Sequence, residues 1–143
     1  MARLDQVRVV VDANVIVSAA FGGTPLRALV RAFRYQVITS PSIKQELLSL
    51  PEQLAHRLSQ DRMIKMKRWL KILLYKTELR TPKKEVSLCR DPKDDAYLSL
   101  CLEANADCLI TGDKDLLSLS KEALATIGLD HLSILTPRKF LNF

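Results

Sequence analysis

Acidic residues stand at four separate places that a folded chain could bring to one edge of a sheet. Asp12 directly follows the apolar run VVV, and Asp113 closely follows the run CLIT at 108–111. Such runs are typical of buried parallel strands, which place their carboxyl ends at the same edge. The other acids lie near predicted helix starts, where the preceding strand has just ended at that edge. They are Glu46, Asp94 and Asp95.

Carboxylates in this arrangement are suited to holding a metal ion. Carboxylates a few ångströms apart repel one another and raise each other's pKa. A divalent cation among them removes the repulsion, and oxygen-only sites select hard ions such as Mg²⁺ or Mn²⁺. Such an ion can polarise a phosphodiester and generate a hydroxide nucleophile near neutral pH. The pattern therefore predicts a divalent-metal site at the edge of the sheet.

Each acid also has a structural interpretation. Asp94 or Asp95 could cap the helix that begins near them, and Glu46 could pair back to residue 42 or 43 in a capping box. Asp113 and Asp115 are of a type common in turns. Asp12 is the hardest to explain in this way, because an acid directly after a buried apolar run has little structural reason to be there.

The order of apolar runs and helical patterns predicts the elements that position these acids. Strands are predicted at residues 7–11, 36–39, 85–88, 108–111 and 133–135. Helices are predicted at 14–21, 25–35, from 40 to an interruption at Pro51, at 58–76, from 91–95 onward, and at 121–127. This alternation predicts an α/β domain with a parallel sheet and helices on both faces. A length of 143 residues suits one such domain, spanning 1–143.

Positive charge is concentrated in one segment. The net charge is +6, and residues 57–84, which we call the basic arm, contain ten basic and two acidic residues. Such an arm suits contacts with phosphate groups, although a solvated helix face has the same composition. Trp69 and Tyr75 could stack on bases beside these charges, but the position of Trp69 also suits the core. The candidates for phosphate contact are Arg62, Lys65, Lys67, Arg68 and Lys71.

Taken together, the motifs resemble the PIN-domain family. The similarity rests on VVVDANV around Asp12, the isolated Glu46, DPKDDAYL at 91–98 and LITGDKDLL at 109–117. It extends from residue 7 to about 135 and is strongest in the last two motifs. More narrowly, the chain resembles the bacterial and archaeal PIN proteins that are toxins of toxin–antitoxin pairs. Its basic arm is longer and more basic than this region often is in the small toxins.

This resemblance implies a three-layer α/β/α sandwich around a short central parallel sheet. It also implies an endoribonuclease that depends on Mg²⁺ or Mn²⁺ and hydrolyses RNA phosphodiester bonds. The acids that the resemblance implies as metal-site and catalytic residues are Asp12, Glu46, Asp94 and Asp113.

Asp95 competes with Asp94 for the place in that set. Asp94 is preferred because Leu98 and Cys101 then lie on the same inward face of the helix. Asp115 is a candidate for a further metal-site acid. Asn14 and Thr111 are candidates for orienting the site by hydrogen bonds.

Other functional classes fit less well. A receiver-type phosphoacceptor domain needs two acids at the end of its first strand, where this chain has valines, and a haloacid-type hydrolase needs an acid where Asn14 stands. The sequence contains no GxxxxGK[ST] phosphate loop. His56 and His131 stand in no motif that frames a histidine-based ribonuclease. The remaining alternative is a catalytically silent PIN-like module that binds RNA or a protein.

The expected partner is RNA, together with a small antitoxin protein if the narrower resemblance holds. Leu, Met and aromatic residues along 58–76 also suit a homodimer or a higher homo-oligomer. No run of 18 apolar residues occurs and no apolar secretion segment stands at the N-terminus, so no membrane is expected. The three cysteines at 89, 101 and 108 suit a reducing compartment. We therefore expect a cytoplasmic protein.

Overall fold

Five short strands form one sheet in which neighbouring strands run parallel. The computed structural model describes residues 7–143, and residues 1–6, where a secretion segment was not expected, lie outside the described part. The strands are β1 (Arg8–Val11), β2 (Gln36–Thr39), β3 (Glu78–Leu79), β4 (Cys108–Ile110) and β5 (Ser133–Leu135). Their order across the sheet is β3-β2-β1-β4-β5.

Strand β1 lies at the centre of this sheet. Val10 is paired with Ile38 of β2 on one side and with Leu109 of β4 on the other. Val9 and Val10 are fully buried. Helices cover both faces of a parallel sheet, so a central strand is apolar on both of its sides. This explains why β1 reads as an unbroken run of valines.

Eight helices surround the sheet in the described part of the chain. They are α1 (Ala13–Ala19), α2 (Gly23–Ala32), α3 (Pro41–Gln53), α4 (Gln60–Lys76), α5 (Pro92–Ala104), α6 (Lys114–Leu117), α7 (Lys121–Ala125) and α8 (Pro137–Phe140). Helix α1 contacts α2 and α3, α3 contacts α4, and α5 packs against β1.

The order of the strands separates these helices into two layers. The chain runs outward from β1 through β2 to β3 and then returns to place β4 on the other side of β1. Right-handed crossovers put α1 to α4 on one face and α5 on the opposite face. The predicted α/β class with a central parallel sheet flanked by helices is confirmed. The connections from β1 lead to one side of the sheet, and the chain later places β4 on the other side of β1. In such sheets, ligands bind in the crevice at the carboxyl ends of the two strands where this change occurs, here β1 and β4.

Helix α4 carries most of the basic arm and is anchored by its apolar side. The Ser59 hydroxyl accepts a hydrogen bond from the backbone N–H of Arg62 and caps the helix. Met66, Leu70 and Leu73 recur at helical spacing and are buried. The side chains of the basic residues predicted to contact phosphate are exposed.

Two local expectations from the sequence are wrong, and two short helices were not predicted. Residues 85–88 form no strand, because the Val86 N–H donates to the Ser99 hydroxyl on α5 instead of to a neighbouring strand. The strand beside β2 is β3, which precedes the predicted strand at 85–88 in the chain. Helix α3 continues through Pro51, which is buried in its last turn. The short helices α6 and α8 were not predicted.

The three cysteines all have free thiols, and Cys101 and Cys108 are buried in the core. Within residues 7–143, no single helix is long and apolar enough to cross a membrane; α1 and α2 would pass that test only together, and they are bent by 114° relative to each other.

Candidate metal centre

Asp12 lies at the junction of β1 and α1 and is held from two sides. Its Oδ1 accepts a hydrogen bond of 3.0 Å from the Asn14 N–H, and its Oδ2 accepts one of 2.7 Å from the Thr111 hydroxyl. The carboxylate is buried and is the N-cap of α1. The interpretation that Asp12 has little structural reason for its place is therefore wrong, because Asp12 begins the helix as well as facing the crevice.

Tyr97, on α5, is a part of this site that the sequence reasoning missed. Its hydroxyl accepts a hydrogen bond of 2.9 Å from the Ala13 N–H and lies against the Asp12 carboxylate. Burial raises the pKa of Tyr97, and the negative charge of Asp12 raises it further. The phenol therefore stays protonated. Its position three residues after Asp94 puts both side chains on one face of α5, which is a signal that the sequence contained.

Thr111 connects the ends of the two central strands. Its hydroxyl donates to Asp12 and accepts a hydrogen bond of 3.0 Å from the Asp113 N–H. Asp113 in turn caps α6, because its Oδ1 accepts hydrogen bonds from the backbone N–H groups of Asp115 and Leu116. These contacts place the Thr111 hydroxyl between Asp12 and Asp113, and its role in orienting the site stays a prediction.

Asp94, on α5, is a buried acid with a raised pKa. It is 4% exposed, and its Oδ2 is buried with no hydrogen-bond partner among residues 7–143. Burial and, to a smaller extent, the neighbouring charges of Asp113, Asp91 and Asp12 together raise the pKa of this carboxyl to about 6. Asp94 does not cap α5, because the Asp91 side chain accepts from the Lys93 N–H in that role.

Asp95 points to a different part of the chain. Its Oδ1 accepts hydrogen bonds of 2.9 Å and 2.8 Å from the backbone N–H groups of Leu88 and Cys89. These bonds hold the segment before α5 against the helix. The two neighbouring acids therefore have separate surroundings: Asp94 lies near Asp113 and Asp12, and Asp95 lies under the preceding loop.

Glu46 reaches the same cleft from α3, on the other side of Asp12. Burial raises its pKa, Lys93 lowers it, and Asp12 and Asp91 raise it again. The cap of α3 is the Ser40 hydroxyl, which accepts from the Ile43 N–H. A capping-box pairing of Glu46 is therefore absent from the contacts of the described residues.

One cleft of about 340 Å³ collects these side chains. We call it the acidic cleft, and its polar lining residues include Asp12, Asn14, Glu46, Asp91, Lys93, Asp94 and Asp113. Asp115 lies at its margin, where it pairs with Arg90 at 3.3 Å. Carboxylate oxygens of Asp94, Asp113 and Asp115 come within 4.8 Å of one another.

These residues fit a divalent cation. No described residue donates a hydrogen bond to the buried Oδ2 of Asp94, and the pKa of Asp94 is raised where several carboxylates face one cleft. A hard cation would supply both the missing partner and the compensating charge. The donors are all oxygen, which favours Mg²⁺ or Mn²⁺ over softer metals.

The basic residues of α4 lie in different surroundings. Arg62 and Lys65 line a groove beside Trp69, and Lys65 also pairs with Asp61 at 3.4 Å. Lys67 pairs with Glu52 at 2.9 Å. The acidic cleft contains none of the five predicted phosphate-contacting residues of α4 in its lining.

The fold and the cleft define a class of α/β proteins that collect carboxylates at the carboxyl ends of a parallel sheet. The sequence profile of the PIN domain matches residues 8–115, and the chain belongs to this family. PIN domains are generally metal-dependent nucleases, in keeping with the acidic cleft. The chain is also similar to the uncharacterized protein MJ1680 of Methanocaldococcus jannaschii, with 33% identity over 147 residues, covering 96% of this chain and 91% of that protein.

Proposed function

We propose that this protein is an endoribonuclease that uses Mg²⁺ or Mn²⁺ to hydrolyse RNA phosphodiester bonds. The observation that carries the proposal is the buried Oδ2 of Asp94, which has no hydrogen-bond partner among the described residues and lies in a cleft shared with four other acids. Nuclease chemistry is the general property of the PIN family. The proposed metal-site and catalytic residues are Asp12, Glu46, Asp94 and Asp113.

The ion would be held by these four carboxylates, with Asp115 as a further acid at the margin. When bound, it would polarise the scissile phosphate and supply an activated water. Thr111 and the Asn14 N–H fix Asp12, and the first turn of α6 fixes Asp113. Such supporting hydrogen bonds orient metal ligands and strengthen binding.

Lys93 gives the cleft its one lining cation among the described residues. Its charge opposes the rise in the pKa of Glu46 that burial causes. The side chain is exposed at the start of α5. An ammonium group there is also placed to hold an oxygen of the substrate phosphate.

We infer further that the protein is the toxin of a toxin–antitoxin pair, with a small antitoxin protein as its partner. This part rests on the narrower resemblance of the motifs at 91–98 and 109–117. It predicts a neighbouring reading frame for a small DNA-binding protein. Expression of the chain alone should arrest growth, and co-expression of that neighbour should restore it; normal growth with an active nuclease would contradict the toxin role.

Incubation with labelled single-stranded RNA tests the nuclease proposal. Cleavage should occur in Mn²⁺ and stop when a chelator is added. The variant Asp12→Asn should lose cleavage by several orders of magnitude. RNA binding without cleavage in any divalent ion would instead favour the catalytically silent binding module.

A further inference from the structure

Three adjoining cavities follow helix α1 from its beginning to its end. The acidic cleft lies at the start of the helix. A second cavity of about 300 Å³ shares Asp12, Asn14 and Asp113 with that cleft and continues along α1 to Ser18. A third cavity of about 470 Å³ begins at the next residue, Ala19. The first two cavities are thus continuous, and the third lies at the other end of α1, where Ala19 follows Ser18 of the second cavity.

The third cavity combines aromatic and basic side chains, and we call it the aromatic–basic groove. Its lining includes Phe21, Leu26, Arg62, Lys65 and Trp69. Its volume lies in the range of about 300–1,000 Å³ that small-molecule sites occupy. The groove lies between the end of α1, the start of α2 and the first half of α4.

The aromatic residues of the groove differ in how firmly they are held. The Trp69 indole is half-buried, and its Nε1 donates a hydrogen bond of 3.2 Å to the Ile16 carbonyl oxygen on α1. The ring is thereby fixed in one orientation against the helix. The Phe21 side chain is 54% exposed. A rigid ring and an exposed ring beside two cations are the features that single-stranded nucleic acids use for base stacking and phosphate contact.

The distance between the acidic cleft and the aromatic–basic groove suits a few nucleotides. Asp12 and Phe21 are nine residues apart, which corresponds to roughly 13 Å along a helical axis. Stacked nucleotides advance about 3.4 Å each, so that distance holds about four of them. A strand cut in the acidic cleft would therefore reach the groove within a few nucleotides on one side of the cut.

We propose that the aromatic–basic groove binds single-stranded RNA a few nucleotides away from the bond that the acidic cleft cuts. This inference rests on the proposed ribonuclease function. Charge complementarity decides the occupant: a polyanion gains from Arg62 and Lys65, whereas a second copy of this chain would bring its own basic α4 against them. The assignment also divides the basic residues of α4, because Arg68 and Lys71 lie outside the groove lining.

A pair of matched double variants tests this division. Arg62→Gln/Lys65→Gln and Arg68→Gln/Lys71→Gln remove the same charge from exposed positions of the same helix. Affinity for a labelled 12-nucleotide single-stranded RNA, measured by fluorescence anisotropy in chelator, should fall at least 10-fold for the first pair and less than 3-fold for the second. Equal losses would mean a diffuse charge effect and would overturn the groove.

A second pair of variants tests the aromatic contact. Phe21→Ala should weaken RNA binding about 5- to 160-fold, which is the range for loss of one stacked base. Tyr75→Ala is the control, because Tyr75 is an aromatic residue on α4 that is 92% exposed and outside the groove lining. It should change affinity less than 2-fold. If both aromatic variants bind RNA as the wild type does, a helical peptide is the better occupant and the proposal is overturned.

Single-turnover cleavage in Mn²⁺ separates this inference from the function on which it rests. With the 12-nucleotide RNA, the enzyme concentration that gives the half-maximal rate should rise at least 10-fold in Arg62→Gln/Lys65→Gln. The cleavage rate at saturating enzyme should change little. A trinucleotide, too short to reach the groove, should show no difference. Wild type that binds RNA through the groove but never cleaves it would refute the ribonuclease alone; cleavage that is indifferent to groove variants at every length would refute the groove alone.

Discussion

Replacing Asp94 by Asn should stabilise the metal-free protein while removing its ability to hold the ion. The Asp94 carboxyl has a raised pKa because it is buried and faces the charges of Asp113, Asp91 and Asp12. Above its pKa the folded state therefore contains a carboxylate that is less stable than in the unfolded chain. The neutral amide of Asn has nearly the same shape and removes that penalty.

The size of the effect follows from the pKa. A rise from 3.8 in the unfolded chain to about 6 corresponds to at most about 3 kcal/mol at neutral pH, because a tenfold change in proton affinity is worth 1.36 kcal/mol. Water in the open cleft screens part of this, which leaves about 1–2 kcal/mol.

The pH dependence has a definite sign. Because the folded state has the higher pKa, it binds more protons than the unfolded chain between about pH 4 and 6. The wild-type free energy of unfolding therefore loses this contribution as the pH rises through that window. The advantage of Asp94→Asn should be complete above about pH 6 and vanish below about pH 4.

Urea unfolding in chelator at pH 7.5 and at pH 5 measures the effect. Asp130→Asn is the control, because Asp130 is exposed and outside the lining of the acidic cleft. The control should unfold like the wild type at both pH values. With Mn²⁺ the order should reverse, because the ion stabilises only a folded state that binds it. An Asp94→Asn variant that is less stable than the wild type in chelator at pH 7.5 would refute the electrostatic reasoning.

Three other predictions concern groups around the cleft. Thr111→Val should lower the free energy of unfolding by about 1–3 kcal/mol in urea and weaken Mn²⁺ binding about 10- to 100-fold in calorimetry, because Asp12 and the Asp113 N–H lose a partner; unchanged Mn²⁺ affinity would contradict this. Asp95→Ala should lower the free energy of unfolding by about 1.5–3 kcal/mol, because two backbone N–H groups lose a charged acceptor. Mn²⁺ should still raise the melting temperature of this variant. Partial burial and the neighbouring Asp95 carboxylate raise the pKa of Cys89 to about 12, so iodoacetamide at pH 8 should label it at least about 100-fold more slowly in the native protein than in urea; equal rates would contradict the raised pKa.

The sequence predicts the central part of the sheet well and its margin poorly. The valines of β1 identify a strand buried on both faces, and β4 has the same character. Strand β3 contains only two residues and follows a long helix, so no apolar run marks it. Residues 85–88 have a pattern typical of a strand, but their segment is held by side chains of α5 instead. Such a choice between a strand and a side chain as hydrogen-bond partner is tertiary information.

The acids of the site follow from topology, whereas their individual roles depend on contacts. Parallel strands bring Asp12 and Asp113 to one edge whatever the details of packing. Asp94 and Asp95 differ by one position, which is about 100° around a helix, and the inward face of α5 favours Asp94. The role of Tyr97 depends on the distance of its hydroxyl from the first turn of α1, which no local pattern in the sequence encodes.

The comparison of Asp94→Asn with Asp95→Asn in RNA cleavage tests the metal-dependent ribonuclease most directly. The two variants change neighbouring residues by the same chemical step, and Asn retains the Oδ1 acceptor that holds the loop at position 95. In single-turnover reactions with Mn²⁺, Asp95→Asn should cleave within about 10-fold of the wild-type rate, and Asp94→Asn should lose cleavage by several orders of magnitude. Cleavage by Asp94→Asn at the wild-type rate, or wild-type cleavage that persists in chelator, would contradict the account.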